Sequence, residues 1–149
     1  MELKIPYPLK AEHEELHNLL RQATQLPDKT GNSAKIVAKL MHPHFVKEEE
    51  YALPPLGLLP LLASGKFSEE MKQVVSMTDK LKKELPAMLA EHQQIVEALK
   101  DLKKRAMSEK HSEVAAFADK LILHAQTEEE VSYPTAILIG DYIKLRFGK

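Results

Sequence analysis

The chain has 149 residues and a formal net charge of −1, which allows one domain (residues 1–149) with a sizeable core and gives no reason to expect nucleic acid or a membrane surface as a partner. Because it has no cysteine, disulfides, thiolate metal sites and thiol catalysis are excluded. The low glycine content favours helices, and the sequence shows no signal segment and no apolar run of transmembrane length, so we expect a cytoplasmic helical protein.

The first predicted helix covers residues 9–23, which follow a proline-containing, extended lead-in. Its apolar side chains step by four and three residues, the spacing of a helix packed in a bundle, and His13 falls on this apolar face. Pro27 and Gly31 are expected to end the helix, and Ser33 is the predicted N-cap of the second helix.

The second predicted helix carries His44 and Glu48 at positions where the same spacing expects leucine. Tyr51 lies one turn further along this face, and Pro43 is expected to bend the helix because it removes one backbone hydrogen bond. A proline-rich stretch ends the helix, and residues 56–66 are predicted to form a short helix that covers one end of the bundle.

The third predicted helix is long and begins after Ser68, which two glutamates follow, as is typical of a helix start. From residue 81 onward its apolar face is regular except for His92. Pro86 is expected to kink this helix or to mark where a second segment begins.

The fourth predicted helix has His124, Glu128 and Val131 on its apolar face and is expected to break at Pro134. Residues 135–147 are amphipathic, which predicts a short extra helix packed on the outside. The sequence therefore predicts an all-α protein with four main helices.

One histidine-and-glutamate unit occurs twice in the sequence. In each copy a histidine is followed by glutamate four residues later, by two further glutamates, and by proline ten residues after the histidine. Each copy also has an upstream Glu-His pair, 31 residues before the second histidine in one copy and 32 in the other. The residues repeated in this way are His13, His44, Glu48, His92, His124 and Glu128.

Six polar side chains at core depth indicate metal ligands, because a buried glutamate or a buried polar network without good partners is costly. Nitrogen and carboxylate donors without thiolate suit iron first, and manganese or zinc next. Glutamates on facing helices can each bridge two cations. Each cation then receives four protein donors and keeps an open position for a small exogenous ligand.

The paired units resemble the hemerythrin-like HHE cation-binding domain over almost the whole chain. The resemblance implies an up-down four-helix bundle that holds two bridged iron ions, with the four repeated histidines as terminal ligands and Glu48 and Glu128 as bridging carboxylates. The family includes dioxygen carriers, redox and oxygen sensors, nitric-oxide-responsive and iron-centre repair proteins, and iron storage or sensing modules.

The sequence departs from the oxygen-carrying hemerythrins on the third helix. Those proteins have a second histidine one turn from the first, whereas this chain has Met88 and Val96 one turn to either side of His92. His17 and Tyr51 are the alternative fifth ligands. The extra open position favours reactivity or sensing over reversible oxygen carriage.

The other polar residues near the repeated units are expected at the surface. His42 is predicted to be exposed, His111 is predicted to lie at the surface, and Tyr133 is predicted to pack at the mouth of the bundle. Of the remaining glutamates, Glu12 and Glu91 are expected to be solvated, with support of a ligand histidine as the alternative. The others are expected on the helix surface, with Glu129 as the nearest rival of Glu128 for a ligand position. The whole set comprises Glu12, Glu49, Glu50, Glu91, Glu129 and Glu130.

We therefore expect a non-haem di-iron protein that binds or reacts with dioxygen, peroxide or nitric oxide. The alternative is a non-enzymatic module for iron sensing, storage or regulation. A ferritin-like oxidase is disfavoured because no Glu-x-x-His pair lies on an apolar face. The sequence has no phosphate-binding loop and leaves turnover and oligomeric state open.

Overall fold

The computed structural model describes residues 3–148, and this part of the chain is helical with no strand. The helices are α1 (Tyr7–Thr24), α2 (Lys29–Lys47), α3 (Leu59–Ala63), α4 (Val74–Ser108), α5 (Ser112–Thr127) and α6 (Tyr133–Arg146). The long helices pack on their neighbours along the chain and α1 also packs on α5, which closes the predicted four-helix bundle. None of the helices within this range is both long and apolar enough to cross a membrane.

The core of the bundle consists of two apolar clusters with a polar layer between them. One cluster includes Leu16, Ile95 and Leu121, and the other includes Met88 and the aliphatic face of α6. Histidine 92 lies between Met88 and Ile95 along α4, so it enters the core where the two clusters meet. This arrangement surrounds the polar layer with apolar side chains on both sides.

Two π-helical turns, Glu48–Ala52 and Glu128–Ser132, follow α2 and α5 at equivalent places in the two repeated units. In each turn a backbone N–H donates to the carbonyl oxygen five residues earlier, from Leu53 to Glu48 at 2.9 Å and from Tyr133 to Glu128. Val131, predicted to be in the core, is 56% exposed. That prediction was wrong because a period of 3.6 residues does not hold across a π turn.

Pro134 was predicted to break the fourth helix, but the helical backbone continues through it. The π turn joins α5 to α6 without a gap, and Pro134 lies in the first turn of α6, where a missing N–H is tolerated. Pro43 and Pro86 lie inside the continuous helices α2 and α4. The extra C-terminal helix exists, but it continues the fourth helix and packs on α4 through Ala136, Ile139 and Ile143.

The second helix begins earlier than predicted, because Asp28 and not Ser33 is its N-cap. The Asp28 carboxylate accepts a hydrogen bond from the backbone N–H of Gly31 at 3.5 Å. Gly31 lies inside α2, where a Cβ would be 1.8 Å from the Leu26 carbonyl oxygen. Glycine here permits close packing rather than ending a helix, and Ser33 is buried within α2, where it donates to Asp101.

Histidine 111 connects two loops at one end of the bundle. Its Nε2 donates to Asp28 Oδ2 at 2.6 Å, and this hydrogen bond raises the pKa of His111 and lowers the pKa of Asp28. The side chain is 22% exposed, which agrees with the predicted place of His111 at the surface, and His42 is exposed as predicted.

Candidate metal centre

The six repeated residues come together in the polar layer between the two apolar clusters. Each is at most 9% exposed. They form two groups, and within each group the potential ligand atoms lie within 4.8 Å of one another. The first group comprises His44, Glu48, His92 and Glu128, and the second group comprises His13, His124 and Glu128.

Both core carboxylates face histidines of both groups. Glu128 Oε1 lies 3.4 Å from His92 Nε2, whereas Glu128 Oε2 lies 3.2 Å from His124 Nε2. Glu48 Oε2 lies 3.4 Å from His44 Nε2, and its Oε1 lies 3.7 Å from His13 Nε2. Each carboxylate therefore offers one oxygen to each group, which is the arrangement that a bridge between two cations requires.

Two buried atoms of this layer have no hydrogen-bond partner within residues 3–148. They are Glu48 Oε1 and His124 Nε2, one acceptor and one ring nitrogen that both point into the core. A buried polar atom without a partner costs about 1–3 kcal/mol. Cations bound by the two groups would satisfy both atoms, so the residues present fit a metal centre.

On the side away from the centre, each of the four histidines is hydrogen-bonded to a glutamate that lies outside the core. The Nδ1 atoms donate to carboxylates, while the Nε2 atoms face the centre. The pairs are His44–Glu91 at 2.8 Å, His92–Glu129 at 3.0 Å, His13–Glu49 at 3.4 Å and His124–Glu12. Carboxylates in this position fix the orientation of a metal-binding imidazole and increase its basicity.

The charges in the layer are strongly coupled. Burial and the neighbouring Glu128 raise the pKa of Glu48 to about 7. Burial also acts to raise the pKa of Glu128, but Glu48 and the nearby histidines hold it well below its ordinary value. Burial acts to lower the pKa of His124, yet Glu128 and Glu12 raise it to about 9. The carboxylates therefore favour protonated imidazoles, and metal binding must release those protons.

Tyr133 was expected at the mouth of the bundle, but it is fully buried with its hydroxyl group inside the first group. The hydroxyl donates to Glu48 Oε2 and lies 3.2 Å from His44 Nε2 and 3.1 Å from His92 Nε2. Burial and the negative charge of Glu48 raise the pKa of Tyr133 above its ordinary value. The tyrosine that meets the centre is therefore not Tyr51, which was one of the two alternative fifth ligands.

The two alternative fifth ligands lie outside both groups. The Tyr51 hydroxyl donates to Met88 Sδ at 3.7 Å in the apolar cluster. The His17 ring packs near Phe45, with the ring centroids 6.5 Å apart, and is partly exposed at the surface.

A pocket of about 250 Å³ opens onto the second group. His13, His124 and Glu128 form its polar floor, and Leu9 and Leu53 contribute apolar walls. The pocket therefore connects solvent to this group through a partly apolar passage of a size suited to small molecules.

A family model, "Hemerythrin HHE cation binding domain", matches residues 5–136, which include both repeated units. The chain belongs to this family. Comparisons with curated proteins and with solved structures find no match. The family match and the two His/Glu groups together make this hemerythrin-like protein a metal-cation-binding protein.

In this hemerythrin-like protein, the sequence predicted the role of Glu12 and Glu91 only as an alternative and missed the role of Glu49 and Glu129. Glu12 and Glu91 were expected to be solvated and Glu49 and Glu129 to be helix surface, but all four hold histidines. Glu129 is thus not a rival of Glu128 for a ligand position. The sequence did contain a sign of this role, because Glu12 and Glu91 occupy equivalent positions in the two repeated units, and so do Glu49 and Glu129.

In this hemerythrin-like protein, Glu91→Ala is expected to lower the affinity for metal about 10–100-fold, because His44 loses the carboxylate that orients its ring. The measurement is a competition titration of metal-free protein with a chelator of known affinity. Glu97→Ala is the matched control, since Glu97 is on the same helix but contacts Lys100 at the surface. Equal affinities for the two variants would contradict the role of Glu91.

Proposed function

We propose that this hemerythrin-like protein holds two bridged iron ions in its polar layer and that this centre binds or reacts with dioxygen, peroxide or nitric oxide. The observation that carries the proposal is the placement of Glu48 and Glu128, each of which offers one oxygen to each histidine pair. A single cation needs no such double arrangement, whereas a bridged pair does.

The donor set favours iron among the common cations. Imidazole nitrogen and carboxylate oxygen without sulfur suit iron, and manganese or zinc are possible substitutes. Iron would supply redox chemistry and open positions for a small ligand. The protein would contribute the two bridges, the oriented imidazoles and the apolar clusters that limit access of water to the centre.

The pocket at the second group supports access for a small ligand. It reaches His124, the most exposed of the six predicted ligands at 9%, whereas Glu48 is fully buried. Its lining also includes the charged side chains of Glu12 and Lys120, so the pocket limits a ligand by size rather than by polarity. At about 250 Å³ it suits a diatomic molecule or peroxide better than a large organic metabolite.

The test is metal analysis with a parallel absorption spectrum on protein produced in iron-rich medium. We expect about two irons per chain and a near-ultraviolet charge-transfer band, and we expect the band to change when peroxide or nitric oxide is added anaerobically. Zinc at one ion per chain under these conditions would overturn the proposal.

The alternative function is a regulatory, sensing or storage module that binds iron without turnover. It is supported by the two unsatisfied buried atoms, because metal that satisfies them also stabilises the fold. Two irons per chain with no spectral response to peroxide or nitric oxide, together with a large gain of protease resistance on loading, would favour this function.

A further inference from the structure

The two repeated units are equivalent in backbone but differ in one side chain at the centre. Leu53 and Tyr133 both lie nine residues after the second histidine of their unit and directly before its proline. Both follow a π turn and donate their backbone N–H to the carbonyl of Glu48 or Glu128. The repeat thus presents an aliphatic side chain at one place and a phenol at the equivalent place.

The phenol oxygen lies among the donor atoms of the first group at distances that ligands of one ion adopt. Two donors bound to one cation at about 2.1 Å, with angles between about 90° and 109°, are about 3.0–3.4 Å apart. The Tyr133 oxygen is 3.2 Å from His44 Nε2 and 3.1 Å from His92 Nε2. It is also hydrogen-bonded to Glu48 Oε2.

Within residues 3–148, no phenol oxygen lies among the donor atoms of the second group. Leu53 is buried and forms part of the pocket wall beside His13, His124 and Glu128. A leucine cannot bind a cation, so the residue that corresponds to Tyr133 supplies no ligand on this side. The pocket reaches the second group from this direction.

We propose that the Tyr133 oxygen is a ligand of the cation held by His44 and His92, which leaves the cation held by His13 and His124 as the one that accepts an exogenous ligand. This inference rests on the proposed two-iron centre. When a ferric ion binds, the phenol O–H bond breaks, an oxygen–iron bond forms, and the proton leaves to solvent. Tyr133 therefore makes the two cation positions different from each other, although the ligands from the repeated units are symmetric.

The test compares ferric-loaded wild type with Tyr133→Phe and Tyr51→Phe. Tyr51 is the matched control, because it is also a buried tyrosine but its hydroxyl contacts Met88. We expect about two irons per chain in all three proteins. We expect a visible tyrosinate-to-iron charge-transfer band in wild type and Tyr51→Phe, and loss of that band in Tyr133→Phe.

Resonance Raman spectra of the wild-type protein test whether a tyrosine oxygen binds iron, without the need for a variant. Protein labelled with ring-deuterated tyrosine should show shifted phenolate vibrations under excitation in the visible band. Two irons per chain without phenolate vibrations would overturn the inference while leaving the proposed function intact. Absence of bound iron would instead overturn the proposed function.

Azide titration tests the difference between the two cation positions. Wild type and Tyr51→Phe are expected to bind one azide per chain, whereas Tyr133→Phe is expected to bind two because the first position has lost its oxygen ligand. The same stoichiometry in all three iron-loaded proteins would contradict the assignment. Circular dichroism confirms that the variants compared are folded.

Discussion

Glu128→Gln is expected to reduce the metal content from about two cations per chain to fewer than one. Glu128 is the residue shared by both groups, and its two oxygens lie 3.2–3.4 Å from histidine nitrogens on both sides. Glutamine has nearly the same shape but lacks the negative charge and one oxygen donor. Each cation then loses a ligand, and a 100-fold loss of affinity at each position corresponds to about 2.7 kcal/mol.

Glu130→Gln is the matched control for this change. Glu130 belongs to the same run of three glutamates, but it is exposed and accepts a hydrogen bond from Gln126 at the surface. The measurement is metal per chain after dialysis against a weak chelator, with circular dichroism to verify helicity. Retention of two cations by Glu128→Gln would show that Glu128 does not bridge them.

Removal of the metal is expected to lower the thermal midpoint of unfolding by roughly 15–30 °C. A ligand at 1,000 times its dissociation constant stabilises the folded state by about 4 kcal/mol per site. For a chain of this length each kcal/mol shifts the midpoint by roughly 2–4 °C. The physical cause is that the metal-free layer buries charged groups and leaves Glu48 Oε1 and His124 Nε2 without hydrogen-bond partners among the described residues.

Differential scanning calorimetry of loaded and chelator-treated protein measures this shift. Glu128→Gln serves as the internal control, because a variant that binds little metal should show little response to the chelator. A loaded wild type that contains metal but unfolds at the same temperature as the metal-free protein would contradict the coupling between metal binding and folding.

The ligand set was visible in the sequence because it follows from local geometry. Residues four apart on a helix share one face, so a histidine and the glutamate that follows it by four residues must point in the same direction. The apolar positions around them showed that this direction is the core. The structure brings all six predicted residues together in the core.

The outer glutamates could not be assigned from spacing alone. Glu12 reaches His124 and Glu91 reaches His44 across separations of 112 and 47 residues, so each pair connects two different repeated units. Such pairs depend on which helices are neighbours in the bundle. Helical periodicity says which face a side chain occupies but not which residue lies opposite.

The sequence by itself determined the helical class, the repeated unit and the six inward-pointing polar residues, because these depend on hydrophobic period and short spacing. Only the tertiary structure placed the Tyr133 hydroxyl at the centre and Val131 in solvent. The physical reason is the π turn after Glu128, which turns the fifth following residue, Tyr133, toward the centre and leaves the third, Val131, outside. Packing of α6 on α4 then keeps that turn and its tyrosine in the core.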